Sequence, residues 1–366
     1  MSVVARYLGR MFFVRLAVVL FAVTGFGLMF DLIENAEGVL KAAGARTWPV
    51  LDYCLLRLPV IIAEMLPLVA LVAAILTVGD LLRHRELVIM WGSGVSPLAM
   101  IRKLLPIGLV LLGTKLVLDD IVVPRVSAEL RQWAVGDYRR SALTGATGDR
   151  LWLSSGDDVV RIDKSAAVRG RVADITVFRR DPDGLLLERL DATRAEPTAE
   201  GWRLIDVTRR TVGTSRTETL PELHWPGAIG LDEVSLVVRE PRELSLVQLH
   251  RVIASAAFSI RPTDVFRTWV HVRLANAIVP FLLVVLAFGL ARRFSRTGTL
   301  TPIFLRGIAI GFGFHIAQGL AVALGEVGLL DPQLAGWALP LALAAAVLGP
   351  PILAETRLAR RGPAPA

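Results

Sequence analysis

The chain has 366 residues, 54% of them hydrophobic, and its mean hydropathy of +0.56 lies far above that of a soluble domain. It therefore predicts an integral membrane protein with a polar part. The net charge of +8 is carried almost wholly by arginines beside the apolar runs, where the positive-inside rule explains it without a nucleic-acid partner. The single cysteine, Cys54, excludes an intrachain disulfide and a thiolate metal site.

Six apolar runs are long enough to cross the hydrocarbon core of a bilayer. The first, Met11–Phe30, is interpreted as a signal anchor that is retained, because no small-residue cleavage site follows it. The other five are Leu58–Gly79, Leu104–Val123, Leu274–Ala291, Gly307–Gly325 and Leu334–Ala354.

Basic residues next to the runs predict the orientation, because they mark the cytoplasmic face of a membrane protein. The four segments assigned to that face are rich in arginine, whereas the loop before the sixth run has Glu326 and Asp331 and no basic residue. Both termini are therefore predicted inside, and the long polar region outside. The predicted parts are residues 1–124 with three spans, 125–262 as the inserted domain, and 263–366 with three more spans.

The polar region predicts a β domain, because its apolar segments are short and separated by turn residues. The clearest turn is Asp181-Pro182-Asp183-Gly184, which suits a type I turn. The predicted strands are Leu151–Ser154, Val159–Asp163, Val172–Arg180, Leu185–Thr193 and Gly201–Val207, and a helix is predicted over Leu244–Ala257. The predicted fold class is an α-helical membrane protein with six transmembrane helices (3+3) and an inserted all-β domain, a jelly-roll-like sandwich.

The charged stretch Asp80–Pro97 lies between the second and third runs, on the predicted cytoplasmic face. Apolar residues recur in it at roughly helical spacing, and Gly92-Ser93-Gly94 ends the pattern. We predict a short amphipathic helix over about residues 81–92, lying parallel to the membrane. Its apolar residues are Leu81, Leu82, Leu87, Val88 and Met90.

No stretch has the spacing of a P-loop, an HExxH zinc site, a paired-cysteine metal site or a GxSxG nucleophile elbow. The chain is therefore predicted to be no enzyme and to need no metal or other cofactor. Its scattered histidines, His224, His250, His271 and His315, are each better explained as structural residues than as ligands or bases.

Three ionisable residues fall inside apolar runs, where a charge is costly and a function is one explanation for it. Lys115 lies one helical turn before Asp119, and pairing with it is the simplest interpretation. Glu64 and His315 lie near span ends, so at both a structural role competes with a functional one. The GxxxG step Gly307–Gly311 would let another helix approach closely.

With this architecture, the chain resembles the LptF/LptG family, the permeases of the lipopolysaccharide-export ABC transporter. The resemblance covers essentially the whole length. Its most specific piece is the run from Arg85 to Gly94, Arg85-Glu86-Leu87-Val88-Ile89-Met90 with Ser93-Gly94, which in that family is a coupling helix seated in a groove of the cytoplasmic ATPase. It also includes Arg6-Tyr7-Leu8, the Leu66-Pro67 break and the β insert. The end of the chain, Gly307–Pro340, is more similar to the G-type subunit.

The resemblance implies a permease subunit that extracts lipopolysaccharide from the outer leaflet of the Gram-negative inner membrane and passes it to a periplasmic bridge. The implied partners are a paralogous F-type permease in a heterodimer, a dimer of cytoplasmic ABC ATPases, a jelly-roll bridge protein and a single-span regulatory subunit. Nucleic acid is not among them. The termini would be cytoplasmic and the β domain periplasmic.

The resemblance also implies roles for individual residues. Coupling to the ATPase is expected of Arg83, Arg85, Glu86, Leu87, Met90 and Gly94. The first and fifth spans would form a lateral gate, with lipid contacts at Phe26, Phe30 and Phe312. A groove for acyl chains in the β domain is expected at Val160, Ile162, Phe178, Trp202 and Leu204.

The chain departs from the family at the outer end of the first span, where G-type members often place basic residues that meet lipid phosphates. Asp31, Glu34 and Glu37 stand there instead. Phosphate contacts are therefore expected from Lys41, Arg46, Arg125 and Arg131.

Two alternatives stay open. A permease of the lipoprotein-release or macrolide-exporter type would have four spans, with its outer domain after the first. A membrane-anchored scaffold or sensor that transports nothing would need no ATPase, and it would leave the segment Arg83–Gly94 unexplained.

Overall fold

The helices and strands are seen in a computed structural model, which describes residues 3–42, 48–133, 135–136, 138, 150–155, 157–163, 172–181, 183–198, 201–213, 217–226, 236, 239–254, 263–294 and 301–360. The α-helices of these ranges are α1 (Val3–Ala42), α2 (Pro49–Arg83), α3 (Glu86–Gly92), α4 (Pro97–Val117), α5 (Val123–Trp133), α6 (Leu246–Ala254), α7 (Thr263–Asn276), α8 (Val279–Phe294), α9 (Thr301–Glu326) and α10 (Pro332–Arg360). A π-helical turn, Leu118–Val122, joins α4 to α5, and a 3₁₀ turn, Pro241–Glu243, precedes α6.

Several helices are long and apolar enough to cross a membrane. By length and composition these are α1, α2, α9 and α10 among the described residues, and a fifth span results if α7 and α8, bent by 42° at their junction, are counted as one. The third predicted run falls mainly on α4, which also holds Arg102 and Lys103 and is not among these spans. The count of six therefore stays a prediction.

The centre of the helical bundle is α8. Leu283 and Val284 are 1% and 0% exposed, and they belong to one apolar cluster with residues of α1, α2, α3 and α4. The packing is uneven, because 61% of the most apolar window of α2 is buried but only 6% of that of α1. One long face of α1 is thus left for lipid or for another chain.

The GxxxG step of α9 packs closely against α2, as its sequence predicted. A Cβ atom added at Gly307 would lie 2.7 Å from Cδ1 of Ile75, and one added at Gly311 would overlap Cδ2 of Leu71. Residue numbers rise along α9 as they fall along α2, so the two helices are antiparallel. Glycine suits both positions, because an added methyl group would have to displace the end of the Ile75 or the Leu71 side chain.

The insert is an antiparallel sheet in which each described strand pairs with the next one in sequence. Its strands are β1 (Arg150–Ser155), β2 (Asp158–Asp163), β3 (Val172–Arg180), β4 (Leu186–Thr198), β5 (Gly201–Thr211) and β6 (Thr217–Trp225). The predicted turn after β3 is confirmed, since the Gly184 amide donates to the Asp181 carbonyl at 2.9 Å. These strands form one six-stranded sheet, so two facing sheets of a jelly roll are not confirmed.

The sheet is interrupted along one line across its middle strands. Asp174 and Asp206 have φ angles of 53° and 54°, and the pairings of β3 with β4 and of β4 with β5 skip both residues. Thr193, between them in β4, donates its hydroxyl to the Asp206 carboxylate at 3.2 Å. Interruptions of a ladder bend the strands that carry them, so a single sheet can curve here without a second one.

One face of the sheet is covered by helices that lead back to the bundle. Leu249 on α6 and Phe266 on α7 are 0% and 1% exposed and share a cluster with inward residues of β2 to β6. The helix predicted over Leu244–Ala257 corresponds to α6, which begins at Leu246, and residues 255–257 lie outside the described residues. The insert is therefore held to the membrane part through α7.

A glycine substitution tests the contact between α2 and α9. Gly311→Ala should lower the free energy of unfolding by about 1–3 kcal/mol, because the new methyl group must displace the Leu71 side chain that packs on Gly311. The measurement is thermal or denaturant unfolding of the purified chain in detergent.

Gly313→Ala is the matched control, since a Cβ there meets no atom within 4 Å. It should be neutral or stabilise by up to about 1 kcal/mol, as alanine replaces glycine in a helix. Equal effects of the two substitutions would contradict the close packing at Gly311.

Candidate functional sites: a loop helix and a charged cavity

The loop between α2 and α4 contains the short helix α3. The helix predicted over residues 81–92 is shorter in the structure, because residues 81–83 complete the last turn of α2 and α3 begins at Glu86. Arg85, just before it, has a φ of 58°, in the left-handed region that side chains seldom adopt. Gly94, at a φ of 88°, then directs the chain towards α4.

Helix α3 holds to the bundle by one pair of apolar side chains and exposes another pair. Leu87 is fully buried and Met90 packs against the same core, so these two seat the helix. Val88 and Ile89 are 46% and 67% exposed, and both Arg83 and Arg85 are exposed beside them. The loop thus presents an apolar patch flanked by cations.

Polar contacts hold this loop to the two ends of the chain. The Tyr7 hydroxyl of α1 lies 2.9 and 3.1 Å from the two carboxylate oxygens of Glu86. Arg15 of α1 forms an ion pair with Asp80. Ser96 donates to Glu355 of α10. The sequence pattern gave no signal for these pairings, because the partners lie far apart in the chain.

The second site is a cavity of about 690 Å³ at the end of the bundle next to the insert. It lies between α2, the α4–α5 region, α7, α8 and α9. Its lining includes Glu64, Lys115 and His315, the three ionisable residues that the sequence singled out within apolar runs. The structure adds polar residues that the sequence did not single out, Arg57, Arg273 and Gln318.

The cations of this cavity are held by neighbours. The predicted pair of Lys115 with Asp119 is confirmed at 2.9 Å, and Lys115 also donates to the Ala63 carbonyl at 2.8 Å. Arg57 pairs with Asp31 at 2.9 Å. Arg273, with its side chain 4% exposed, lies 3.6 Å from Asp120. A buried cation needs such compensation for its lost hydration.

The residues expected to contact lipid phosphates lie in different surroundings. Lys41 is exposed and pairs with Glu37 one turn earlier. Arg125 is exposed on α5, whereas Arg46 falls outside the described residues. Arg131 is largely buried and lies 2.8 Å from Glu243, which occupies its guanidinium. Of the four, only Lys41 and Arg125 are described with an accessible side chain.

The Arg131–Glu243 pair is strongly desolvated. Burial raises the pKa of the Glu243 carboxyl above its ordinary value, against the attraction of Arg131. Burial likewise lowers the pKa of the Arg131 guanidinium. The loss of hydration thus decides the direction of both shifts, and each charge depends on the other.

The aromatic residues expected to contact lipid are exposed. Phe26 and Phe30 of α1 are 61% and 56% exposed, with ring centroids 5.0 Å apart. Phe312 of α9 is 53% exposed. All three are available to lipid or to a second chain.

The expected groove of the β domain is not gathered on one open surface. Val160, Ile162, Trp202 and Leu204 are buried in the core between the sheet and its covering helices. Phe178 is only partly buried and stacks on Trp152 at 5.5 Å. Among the described residues, no group of three or more His, Cys, Asp or Glu is arranged to hold a metal ion.

Comparison with known proteins gives one family and several relatives. Residues 6–349 match the family model described as lipopolysaccharide export system permease LptF/LptG. The chain is 23% identical over 331 residues to the lipopolysaccharide export system permease protein LptG of Escherichia coli strain K12, covering 86% of this chain and 88% of that protein. The LptG protein of Haemophilus influenzae is 21% identical over 321 residues, with the same coverage.

The Arg131–Glu243 pair can be tested by a double-mutant cycle. Arg131→Met alone should cost about 3–5 kcal/mol of folding free energy, because it leaves the Glu243 carboxylate buried without its cation. Adding Glu243→Leu should restore most of that loss. Unfolding of the two variants in detergent measures both steps, and a single variant as stable as wild type would show that the pair is not desolvated.

Proposed function

This chain belongs to the lipopolysaccharide export system permease LptF/LptG family, and we propose that it is the G-type subunit of an ABC transporter that extracts lipopolysaccharide from the inner membrane. The relatives it matches carry the LptG name. In this proposal the lipid leaves the outer leaflet and passes to a periplasmic bridge. The energy comes from separate ATPase subunits, so the chain itself is not a catalyst.

The observation that carries the proposal is the loop helix α3. It is seated on the bundle by Leu87 and exposes Val88 and Ile89 to a partner. A short, exposed apolar patch with flanking charges suits docking into a groove of another protein. We assign it to a cytoplasmic dimer of ABC ATPases, with Glu86 and the arginines before it contributing charged contacts.

Coupling to the membrane part follows from the contacts of this loop. Glu86 of α3 binds Tyr7 of α1, Asp80 in the last turn of α2 binds Arg15 of α1, and Ser96 before α4 binds Glu355 of α10. A push on α3 therefore acts on the first and last helices together. In the proposal, this is how ATP-driven closure of the partners reaches the gate.

The exposed faces of α1 and α9 suit a pairing of two permeases. Phe26 and Phe30 on α1 and Phe312 on α9 are more than half exposed, and we assign these faces to lipopolysaccharide tails and to an F-type paralogue in a heterodimer. A single-span regulatory subunit would also bind here.

The sheet supports a hand-over of acyl chains. Among the described strands β1 and β6 form its two edges, and an unpaired edge can be extended by a strand of another protein. We propose that one edge continues into the sheet of a periplasmic bridge protein. The groove residues buried under α6 and α7 would become accessible only when these helices shift.

Replacing Glu86 tests the coupling role. Glu86→Ala should leave stability within about 1 kcal/mol of wild type, since its hydrogen bond to Tyr7 is exposed. The affinity of the chain for its ATPase partner and the rate of lipid extraction from proteoliposomes should both fall by about tenfold or more, the scale of a charged hot spot.

Asp183→Ala, in the exposed turn of the insert, is the control and should transport normally. Transport at the wild-type rate by the Glu86 variant would refute the coupling role. Purification from native membranes without any ATP-binding subunit would favour a scaffold instead.

The topology is tested by reporter fusions. Six spans with cytoplasmic termini require fusions at Ala146 and Glu326 to report the periplasm, and fusions at Arg296 and at the C-terminus to report the cytoplasm. A permease with four spans and its domain after the first would give a different pattern. A cytoplasmic signal at Ala146 would overturn the assignment of the insert.

A further inference from the structure

The outer face of the sheet, opposite α6 and α7, carries a group of arginine and aromatic side chains. Successive residues of a strand point to opposite faces, and Val160, Val177 and Leu190 point into the core under the helices. Their neighbours therefore point outwards, and strand pairing aligns these in two adjacent rows. We call the group the arginine–aromatic cluster, and its members are Trp152, Arg161, Phe178, Arg189, Asp191 and Arg210.

Two aromatic rings form the base of the cluster. The Trp152 ring stacks on that of Phe178, with centroids 5.5 Å apart and planes 20° from parallel. The Arg161 guanidinium carbon lies 5.9 Å from the Trp152 centroid, and that of Arg189 lies 5.7 Å from the Phe178 centroid. Such contacts order the guanidinium groups before a ligand arrives, so binding loses less side-chain entropy. Trp152 nevertheless remains 36% exposed.

Cations outnumber carboxylates in the cluster. Asp191 accepts two hydrogen bonds from Arg189, at 3.0 and 2.7 Å, and one from Thr176. The Arg210 guanidinium lies 3.7 Å from the same carboxylate, too far for a hydrogen bond, and its side chain is 55% exposed. Within the described part of the chain this guanidinium makes no hydrogen bond. Arg210 thus keeps a planar set of donors for an anion such as phosphate or carboxylate.

The complement of the cluster is an anion from outside the chain. Two segments that adjoin β1 and β2 in sequence, 139–149 and 164–171, lie outside the described residues and contain five basic residues and one acidic residue. Their charge repels the cluster instead of complementing it. A second copy of the cluster has the same charge and fits no better. An external anionic ligand is therefore favoured.

We propose that the arginine–aromatic cluster binds the saccharide of the transported glycolipid, with Arg189 and Arg210 holding an anionic group on a sugar and Trp152 contacting the sugar ring. This inference rests on the proposed function and specifies how the insert takes part in it. The cluster lies on the opposite face of the sheet from the buried residues Val160 and Leu204, so the saccharide and the acyl chains would meet different surfaces of the insert.

Tethering favours a saccharide over an acidic peptide. A glycolipid whose tails are held by the helical bundle keeps its saccharide beside the insert, at a high effective concentration. Weak contacts at an exposed surface then suffice for binding. The exposed part of Trp152 offers an apolar surface to a sugar ring, and the neighbouring guanidinium groups supply the charge.

The first test measures binding to the intact complex, purified with its native partners. The probe is the tail-free oligosaccharide released from lipopolysaccharide, titrated and followed by calorimetry. It is compared with the same oligosaccharide after removal of its phosphates, after reduction of its carboxylates and after both, and with polyglutamate as the acidic peptide. The charged oligosaccharide should bind most tightly, and its affinity should fall as salt is added, because screening weakens contacts between exposed charges.

Variants identify the residues. Arg210→Gln should weaken oligosaccharide binding by about three- to fivefold, the scale of an exposed charge pair, and Trp152→Leu should weaken it as well. Arg203→Gln is the matched control, because Arg203 is exposed on the same strand, pairs with Glu196 and lies about 23 Å along the strand from Arg210. The exposed Arg210 position keeps the test decisive if Trp152→Leu fails to fold.

A second test uses ATP-driven extraction from proteoliposomes by the same complex. Arg210→Gln should slow the extraction of lipopolysaccharide with its full saccharide by about three- to fivefold and leave lipid A, which lacks that saccharide, at the wild-type rate. A residue that only stabilises the sheet would affect both lipids equally.

The outcomes separate the two proposals. The saccharide site is overturned by equal binding of the charged and neutral oligosaccharides, by equal binding to the Arg210 and Arg203 variants, by tighter binding of polyglutamate, or by no binding to wild type. Extraction by the wild-type complex in any of these cases leaves the export function standing. No ATP-dependent extraction of either lipid overturns the proposed function and the saccharide site with it.

Discussion

The fold depends on one constraint, which is that a charge removed from water needs an opposite charge or several hydrogen bonds. At the end of the bundle next to the insert, Asp31 binds both Arg57 and Tyr53, at 2.9 and 2.7 Å. Asp120 accepts from the backbone of α6 and faces Arg273. These pairs join the α1–α2 hairpin, the π-helical turn and α7. Apolar packing alone would not fix how these elements meet.

Glycine and charge act at opposite ends of α2 and α9. The GxxxG contact closes the two helices where they are apolar, and the cavity opens where polar residues begin. Because the two helices meet at one end and part at the other, polar side chains can lie in the gap although most of each helix is apolar enough to face lipid. Bundle stability and the polar cavity therefore come from different stretches of the same helix pair.

The features that the sequence predicted are those set by short-range patterns. Lys115 and Asp119 are one helical turn apart. The β-turn Asp181–Gly184 is recognised from four consecutive residues, and the GxxxG step from five. The pairs Tyr7–Glu86 and Arg131–Glu243 could not be predicted, because they exist only once distant elements are packed together. Strand β6 was not predicted, because Pro221 and the charged residues Glu218 and Glu222 weaken the β signal. Leu81 and Leu82 fitted the helical period of α3 but belong to α2, since periodicity does not show where one helix stops.

Helix α7 packs under the sheet at one end and is bound to the bundle by polar contacts at the other. Phe266 and Val270 lie under the sheet, Arg273 is bound among carbonyl and carboxylate oxygens of the bundle, and Trp269 donates to Glu326 of α9 at 2.6 Å. Because α7 is held at both ends, a rotation of the helix in the bundle must also rotate the sheet that packs on it. The orientation of the insert therefore depends on the position of α7 in the bundle.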